Sequence, residues 1–260
     1  VGAGHGGALT ARYVGGTTRV HRLEPHVKLV AVLAFALVVV ATPVHAAWAP
    51  AAYAGYLVVV LAVAAVARVR PGRLARGLVV ELPFVAFALL LPFVTAGPRV
   101  EVLGLAVSRS GLETGGGLLA KATLSVLAAT VLAVTTEPRA LLRGLQRLRL
   151  PAVLVQILMF MIRYADVVTG ELQRMRVARE SRGFRARGAA GLRVLGATAG
   201  SLFVRSYERG ERVHLAMLSR GYDGHLRTGP AAAVRPRAWA TALTLPVAAA
   251  AVLTAGFVLG

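Results

Sequence analysis

The chain contains no cysteine, which excludes disulfide frameworks, zinc–thiolate sites and cysteine nucleophiles. Acids are scarce. Eleven Asp and Glu stand against 30 Lys and Arg in 260 residues, for a formal charge of +19. Beyond residue 136 the acids are scattered (Glu137, Asp166, Glu171, Glu180, Glu208, Glu211 and Asp223), and the one close pair, Glu208 and Glu211, is surrounded by arginines. An enzyme acting on lipid headgroups, the rival reading for a basic membrane protein, would need a denser cluster of acids or a nucleophile–base pair. The glycine run at residues 115–117 is not followed by Gly-Lys-Ser/Thr, so there is no Walker A phosphate loop and the chain is not itself an ATPase. The first 28 residues lack an apolar run, so no cleavable signal peptide is expected. The chain begins at Val1 rather than Met, so a few missing or trimmed residues are expected.

What is abundant is apolar surface, 57% of residues, together with that positive charge. The two are compatible if they are segregated, with apolar spans in lipid and arginines outside it. Five spans follow from the hydropathy pattern: residues 29–47, 51–67, 78–94, 118–135 and 238–259, each judged against the roughly 30 Å hydrocarbon core. The fold class is an all-α integral membrane protein, with long cytoplasmic helices added to about five transmembrane ones. The loop at 68–77 carries Arg68, Arg70, Arg73 and Arg76 and no acid, which places it and the segment 1–28 on the cytoplasmic side. Residues 95–117 then lie outside, where the alternation in "RVEVLGLAVS" predicts a small hairpin. The organisation expected is a cytoplasmic segment 1–28, a four-span region 29–135, a cytoplasmic region 136–237 and a final span 238–260.

The region 136–237 holds a dense arginine load. Residues 152–168 are apolar enough to suggest a sixth span. Crossing there would export the arginines that follow and would carry Arg163 and Asp166 toward lipid. The segment is therefore expected to lie at the membrane surface or inside the bundle, with Arg163 and Asp166 paired on one face. A basic helix is expected over 171–187, with Leu172, Met175 and Ala178 on one face. A "GAAG" break at 188–191 separates it from a longer helix over 192–220, whose apolar face is Leu195, Ala199, Leu202, Val213 and Met217. Gly196, Gly200 and Gly210 would admit another helix closely. Snorkelling is expected to accommodate Glu81 and Lys121 at span ends. The six histidines, His5, His21, His26, His45, His214 and His225, show no i, i+4 pair and suggest no metal site. The basic helices lie between membrane spans and carry no nucleic-acid-binding signature.

"SRGF" at 181–184 and "SRGY" at 219–222 end these two helices. An Arg-Gly helix end is ordinary, since the Arg favours the negative end of the dipole and Gly takes the left-handed C′ position. Two copies, each with Ser before and an aromatic after, point further. Parallel helix tips would present two guanidiniums, each with an aromatic anchor, suited to grooves on a soluble partner.

These residues carry a resemblance. The chain resembles the T component of energy-coupling-factor (ECF) transporters, in which two Ala-Arg-Gly signatures occupy the tips of cytoplasmic coupling helices. Here the signatures read Ser181-Arg182-Gly183 and Ser219-Arg220-Gly221, with Ser in place of Ala. "HRLEPHVKL" at 21–29 is similar to the family's lead-in to its first span, keeping Pro25, Lys28 and Leu29 but with Glu24 for Asp and His26 for Arg. "TTEPRALLRGLQRLRLPAVL" at 135–154 resembles the segment before the coupling region. "FVRSYERGERVHLAMLSRGYDG" at 203–224 is similar to the cobalt (CbiQ-like) branch. The resemblance implies a non-catalytic subunit in the cell inner (cytoplasmic) membrane, with its N-terminus cytoplasmic. It implies two ATPase subunits, which hold ATP and Mg, and a membrane substrate-binding component for cobalt. This chain itself would bind no cofactor. It also implies that Arg182 and Arg220 dock the ATPases with Ser181, Gly183, Phe184, Ser219, Gly221 and Tyr222 around them. A T component serving nickel or a vitamin is the alternative within the family.

Overall fold

The computed structural model describes residues 13–102, 105–184, 188–224 and 236–259. His5 and His225 lie outside them. They fall into two compact units, one built from Arg12–Gly144 with Ala233–Gly260 and the other from Leu145–Ala232.

The first unit is a helical bundle. Its elements are α1 (Arg19–Arg22), α2 (Pro25–Ala41), α3 (Ala49–Val66), α4 (Pro71–Leu78), a 3₁₀ turn (Val79–Glu81), α5 (Leu82–Val94), β1 (Arg99–Val102), β2 (Leu105–Ser108), α6 (Arg109–Thr135), most of α7 (Pro138–Arg147) and α10 (Pro236–Leu259). Proline opens α2 and lies at the starts of α3, α4 and α5, where its missing N–H is no loss. α2 stops at Ala41, short of the expected residue 47, because Pro43 holds Thr42 extended at φ −65°, ψ 121°. The Arg-rich 68–77 loop is largely helical, as α4. The expected hairpin is present: β1 and β2 pair antiparallel, Arg99 opposite Ser108 and Val102 opposite Leu105.

Phe35 and Val39 of α2, Tyr56 and Val60 of α3, Leu124 and Leu127 of α6, and Ala249 of α10 form the buried core. Tyr56 is fully buried, and its hydroxyl lies 3.1 Å from Thr42 Oγ1, so the one polar atom of a large core side chain is satisfied. The outward faces stay apolar, with Leu37 71% and Phe84 56% exposed, as lipid requires. Four helices of this unit, α3, α4 with α5, α6 and α10, are long and apolar enough to cross a membrane, and α2 is a shorter apolar helix. The fifth such helix is α8 (Ala152–Ser181), in the segment expected to stay cytoplasmic. By length and composition the chain is thus an all-α membrane protein with five candidate spans.

Buried charges tie helix ends together. Lys28, in the first turn of α2, donates from Nζ to the Thr135 carbonyl (3.0 Å), to Thr136 Oγ1 (3.3 Å) and to the His21 carbonyl (3.3 Å). An ammonium has three N–H donors, so all are used, and the positive charge sits on the negative end of α6. Burial and the Lys28 charge hold the His21 imidazole below its usual pKa. Glu81 does not snorkel. It is buried and accepts a 2.6 Å bond from Thr123 Oγ1. Lys121 donates to the Val40 carbonyl at the end of α2, at 2.8 Å.

The second unit holds α8 and α9 (Gly188–Leu218). α8 is one unbroken helix of 30 residues, where the sequence suggested separate segments at 152–168 and 171–187. Gly170 lies inside it, because a single helical glycine costs only about 1 kcal/mol. The expected break at 188–191 is likewise helical, since α9 starts at Gly188.

Candidate functional site: two capped helix tips

Both tips end in the same cap. At the end of α8, the Gly183 N–H bonds to the Glu180 carbonyl (3.0 Å) and the Phe184 N–H to the Arg179 carbonyl (3.2 Å). At the end of α9, the Gly221 N–H bonds to Leu218 (2.9 Å) and the Tyr222 N–H to Met217 (3.0 Å). These paired bonds define a Schellman motif, and Gly183 and Gly221 have the left-handed φ it needs, 73° and 79°. Ser181 and Ser219 each donate from Oγ to the carbonyl three residues back, Ala178 and Ala216, both at 3.0 Å. Where the resembled family has Ala, this chain adds a bond to a terminal carbonyl that the helix leaves open.

The cap alone does not mark a site. α3 and α7 end the same way, with Arg68 (φ 54°) and Arg149 (φ 63°) in the left-handed position. At α8 and α9 the left-handed position is glycine and the arginine precedes it. Arg174, Arg176, Arg205 and Arg209 all bind carboxylates. Arg182 and Arg220 are exposed and, among the described residues, meet none. Gly183→Val and Gly221→Val are expected to destabilise the tips by about 1–2 kcal/mol each, the cost of a Cβ in left-handed backbone. They should raise hydrogen exchange at the Phe184 and Tyr222 amides. Ser181→Ala and Ser219→Ala should leave the same amides within about 0.5 kcal/mol of the parent.

The tips are antiparallel, not parallel as the sequence reading supposed. Arg179 of α8 donates to Thr198 of α9 (3.1 Å), Glu171 meets Arg205 (2.7 Å), and Gln156 bonds to the Tyr222 hydroxyl. Positions falling along α8 thus match positions rising along α9. Arg220 therefore lies at the Gln156 end of the hairpin and Arg182 at its turn, roughly 40 Å apart at ~1.5 Å per residue. The two aromatics also differ. Phe184 is 36% exposed, whereas Tyr222 is half-buried between Gln156 and the edge of His214. Only Phe184 is open as an anchor.

Glu171 is the hub of the pair. Arg174 reaches it at 3.1 Å, Arg205 at 2.7 Å and Arg209 at 3.8 Å. The α8 face turned to α9 is thus Glu171, Met175 and Arg179, while Leu172 and Ala178 of the expected apolar face are exposed. Leu202, Val213 and Met217 of the expected α9 face do line a groove of about 420 Å³ against Phe160, Met161 and Tyr164 of α8. Leu195 and Ala199 do not, and both are exposed. Arg163 lies over the Tyr164 ring, 6.0 Å from its centroid, rather than pairing with Asp166. Glu171→Gln is expected to broaden the spin-label distance between Leu172→Cys and Phe203→Cys, since it removes the one acid shared by three arginines. An unchanged distribution would assign the hairpin's alignment to the groove contacts instead. Among the described residues no three His, Asp or Glu come together as metal ligands.

Similarities to known proteins bear on this arrangement. The family model of CbiQ, cobalt transport protein, matches residues 16–230. The cobalt transport protein CbiQ of Rhodobacter capsulatus is 30% identical over 190 residues, which cover 69% of this chain and 76% of that protein. The energy-coupling factor transporter transmembrane protein EcfT of Bacillus subtilis is 29% identical over 237 residues, 83% of this chain and 85% of its own. An uncharacterized protein of Methanocaldococcus jannaschii is 34% identical over 131 residues, and the alignment spans about half of each chain (50% and 49%).

Proposed function

This chain belongs to the family of CbiQ, cobalt transport protein, and from that premise we propose that it is the energy-coupling membrane subunit of an ATP-driven, ECF-type cobalt uptake transporter. The observation that carries the reading is the duplicated tip: two matching caps whose arginines are exposed and meet no carboxylate among the described residues. In this reading Arg182 and Arg220 each grip a carboxylate-lined groove on one of two cytoplasmic ATPase subunits. A separation of about 40 Å suits two partners rather than one. Nucleotide-driven movement of the pair shifts the tips, and the stiff hairpin carries that motion to the substrate-binding membrane component. Gly196, Gly200 and Gly210 of α9, none with a neighbouring side chain within 4 Å, leave room for that component's helices to approach.

On this reading α8 does not cross the bilayer. A crossing would separate the two tips by about 40 Å along the membrane normal, more than the ~30 Å core, and only one could then meet a cytoplasmic partner. The cytoplasmic N-terminus follows from the Arg68–Arg76 loop by the charge rule.

The cysteine-free chain makes the test clean. Ser181→Cys and Ser219→Cys should both be blocked by a membrane-impermeant thiol reagent only from the cytoplasmic face. Labelling of either from outside would end the docking proposal. Uptake of Co²⁺ in preference to Ni²⁺ by the assembled complex tests the substrate; the purified chain alone should show no turnover.

A further inference from the structure

A second cavity, in the first unit, is unrelated to the tips. It is a slot of about 470 Å³ between α2, α3, α6 and α10. Its walls are apolar, with Val63, Val131 and Leu245 among them, and Arg19 and Arg22 of α1 stand at one end. Among the described residues no carboxylate lines it. Lys28 also faces it, but its ammonium is held by three acceptors and adds only charge. Arg22 binds the Thr17 carbonyl through Nε (3.0 Å), which leaves its terminal nitrogens available. Arg19 and Arg22 are exposed and meet no carboxylate among the described residues.

The lining selects the occupant: the slot joins apolar walls to two arginines, which suits an acyl chain carrying an anionic headgroup. From Val66 to Val60 on α3 it descends roughly 9 Å at ~1.5 Å per residue, the dimension of a stretch of acyl chain. The end of the slot carrying the arginines is the end of the bundle that holds the Arg68–Arg76 loop, where α3 finishes, the side the charge rule turns to the anionic leaflet. We propose that this slot binds an anionic phospholipid, with one acyl chain between the helices and the headgroup phosphate on Arg19 and Arg22.

The test uses the full chain, delipidated in neutral detergent, with phosphatidylglycerol or phosphatidylcholine added back and retention read by native mass spectrometry. The parent should retain phosphatidylglycerol about 10–30-fold more tightly than phosphatidylcholine, the ratio expected for two arginines at an anionic headgroup. R19Q/R22Q, which alters exposed side chains only, should abolish the preference while keeping helical circular dichroism. Val63→Phe, which narrows the slot without touching the arginines, should lower retention of both lipids. Equal retention of the two lipids by the parent, or a preference that survives R19Q/R22Q, would overturn the assignment.

Discussion

Arg182→Ala combined with Arg220→Ala should leave the chain in the membrane, with its helix content unchanged, and abolish co-purification with the two ATPase subunits proposed as its partners. Both side chains are exposed, and neither has a carboxylate partner among the described residues, so truncation leaves the fold intact. An arginine anchor buried at an interface commonly accounts for at least about 2 kcal/mol of binding, or roughly 30-fold. Two independent anchors would then lower affinity on the order of 10³-fold, enough to lose the complex on a column. Each single variant should fall between, because the tips are far apart and the other still holds its partner. Arg182→Lys and Arg220→Lys should recover only part, since Lys keeps the charge and loses the bidentate fork. Arg176→Ala is the control: this arginine, near the α8 tip, is engaged by Glu180 at 2.8 Å and should have little effect. Co-purification of the double variant at parental yield would remove the docking role.

The apolar runs of α3, α5, α6 and α10, the hairpin and the two glycine caps were legible because each rests on local chemistry: a run of apolar residues, an alternation of period two, a glycine at a helix end. Three features were not. α4 sits where arginines suggested a loop, because charge reports where water is, not whether Pro71 and the good helix formers after it coil. The expected division between residues 168 and 171 is absent, because the helix runs on through Gly170. The direction of the hairpin was hidden because two identical caps say nothing about how their helices run. It took Glu171 meeting Arg205, and Gln156 meeting Tyr222, to show the tips at opposite ends. Lys28 was visible as a preserved residue of the resembled lead-in. Its role, closing the end of α6, depends on a contact 107 positions away in sequence, which periodicity cannot reach.

The glycines near the start of α6 yield the sharpest stability test. Gly115→Ala and Gly116→Ala, neighbours in sequence, should move stability in opposite directions. A Cβ on Gly115 would stand 2.7 Å from the Ala88 carbonyl oxygen, and one on Gly111 would stand 2.7 Å from the Leu91 oxygen and 2.8 Å from Pro92 Cα. These are backbone atoms of α5, which cannot swing aside as a side chain can. Pro92 lies inside α5 and supplies no N–H to the carbonyl four residues back, so the Ala88 oxygen faces α6 without its intrahelical donor. Glycine lets the two backbones close over it, the small-xxx-small arrangement by which membrane helices pack. Gly111 and Gly115 have that four-residue spacing, a signal present in the sequence but obscured by the Gly115–Gly117 run. Gly116 has nothing within 4 Å, so alanine there gains helix propensity of up to about 1 kcal/mol. Gly115→Ala and Gly111→Ala should each lose about 1–3 kcal/mol as α5 and α6 are forced apart, and the pair together should approach the net stability of a small domain. Thermal unfolding in detergent reads all three. A loss at Gly116 equal to that at Gly115 would show that the cost lies in the helix itself, and not in the contact between α5 and α6.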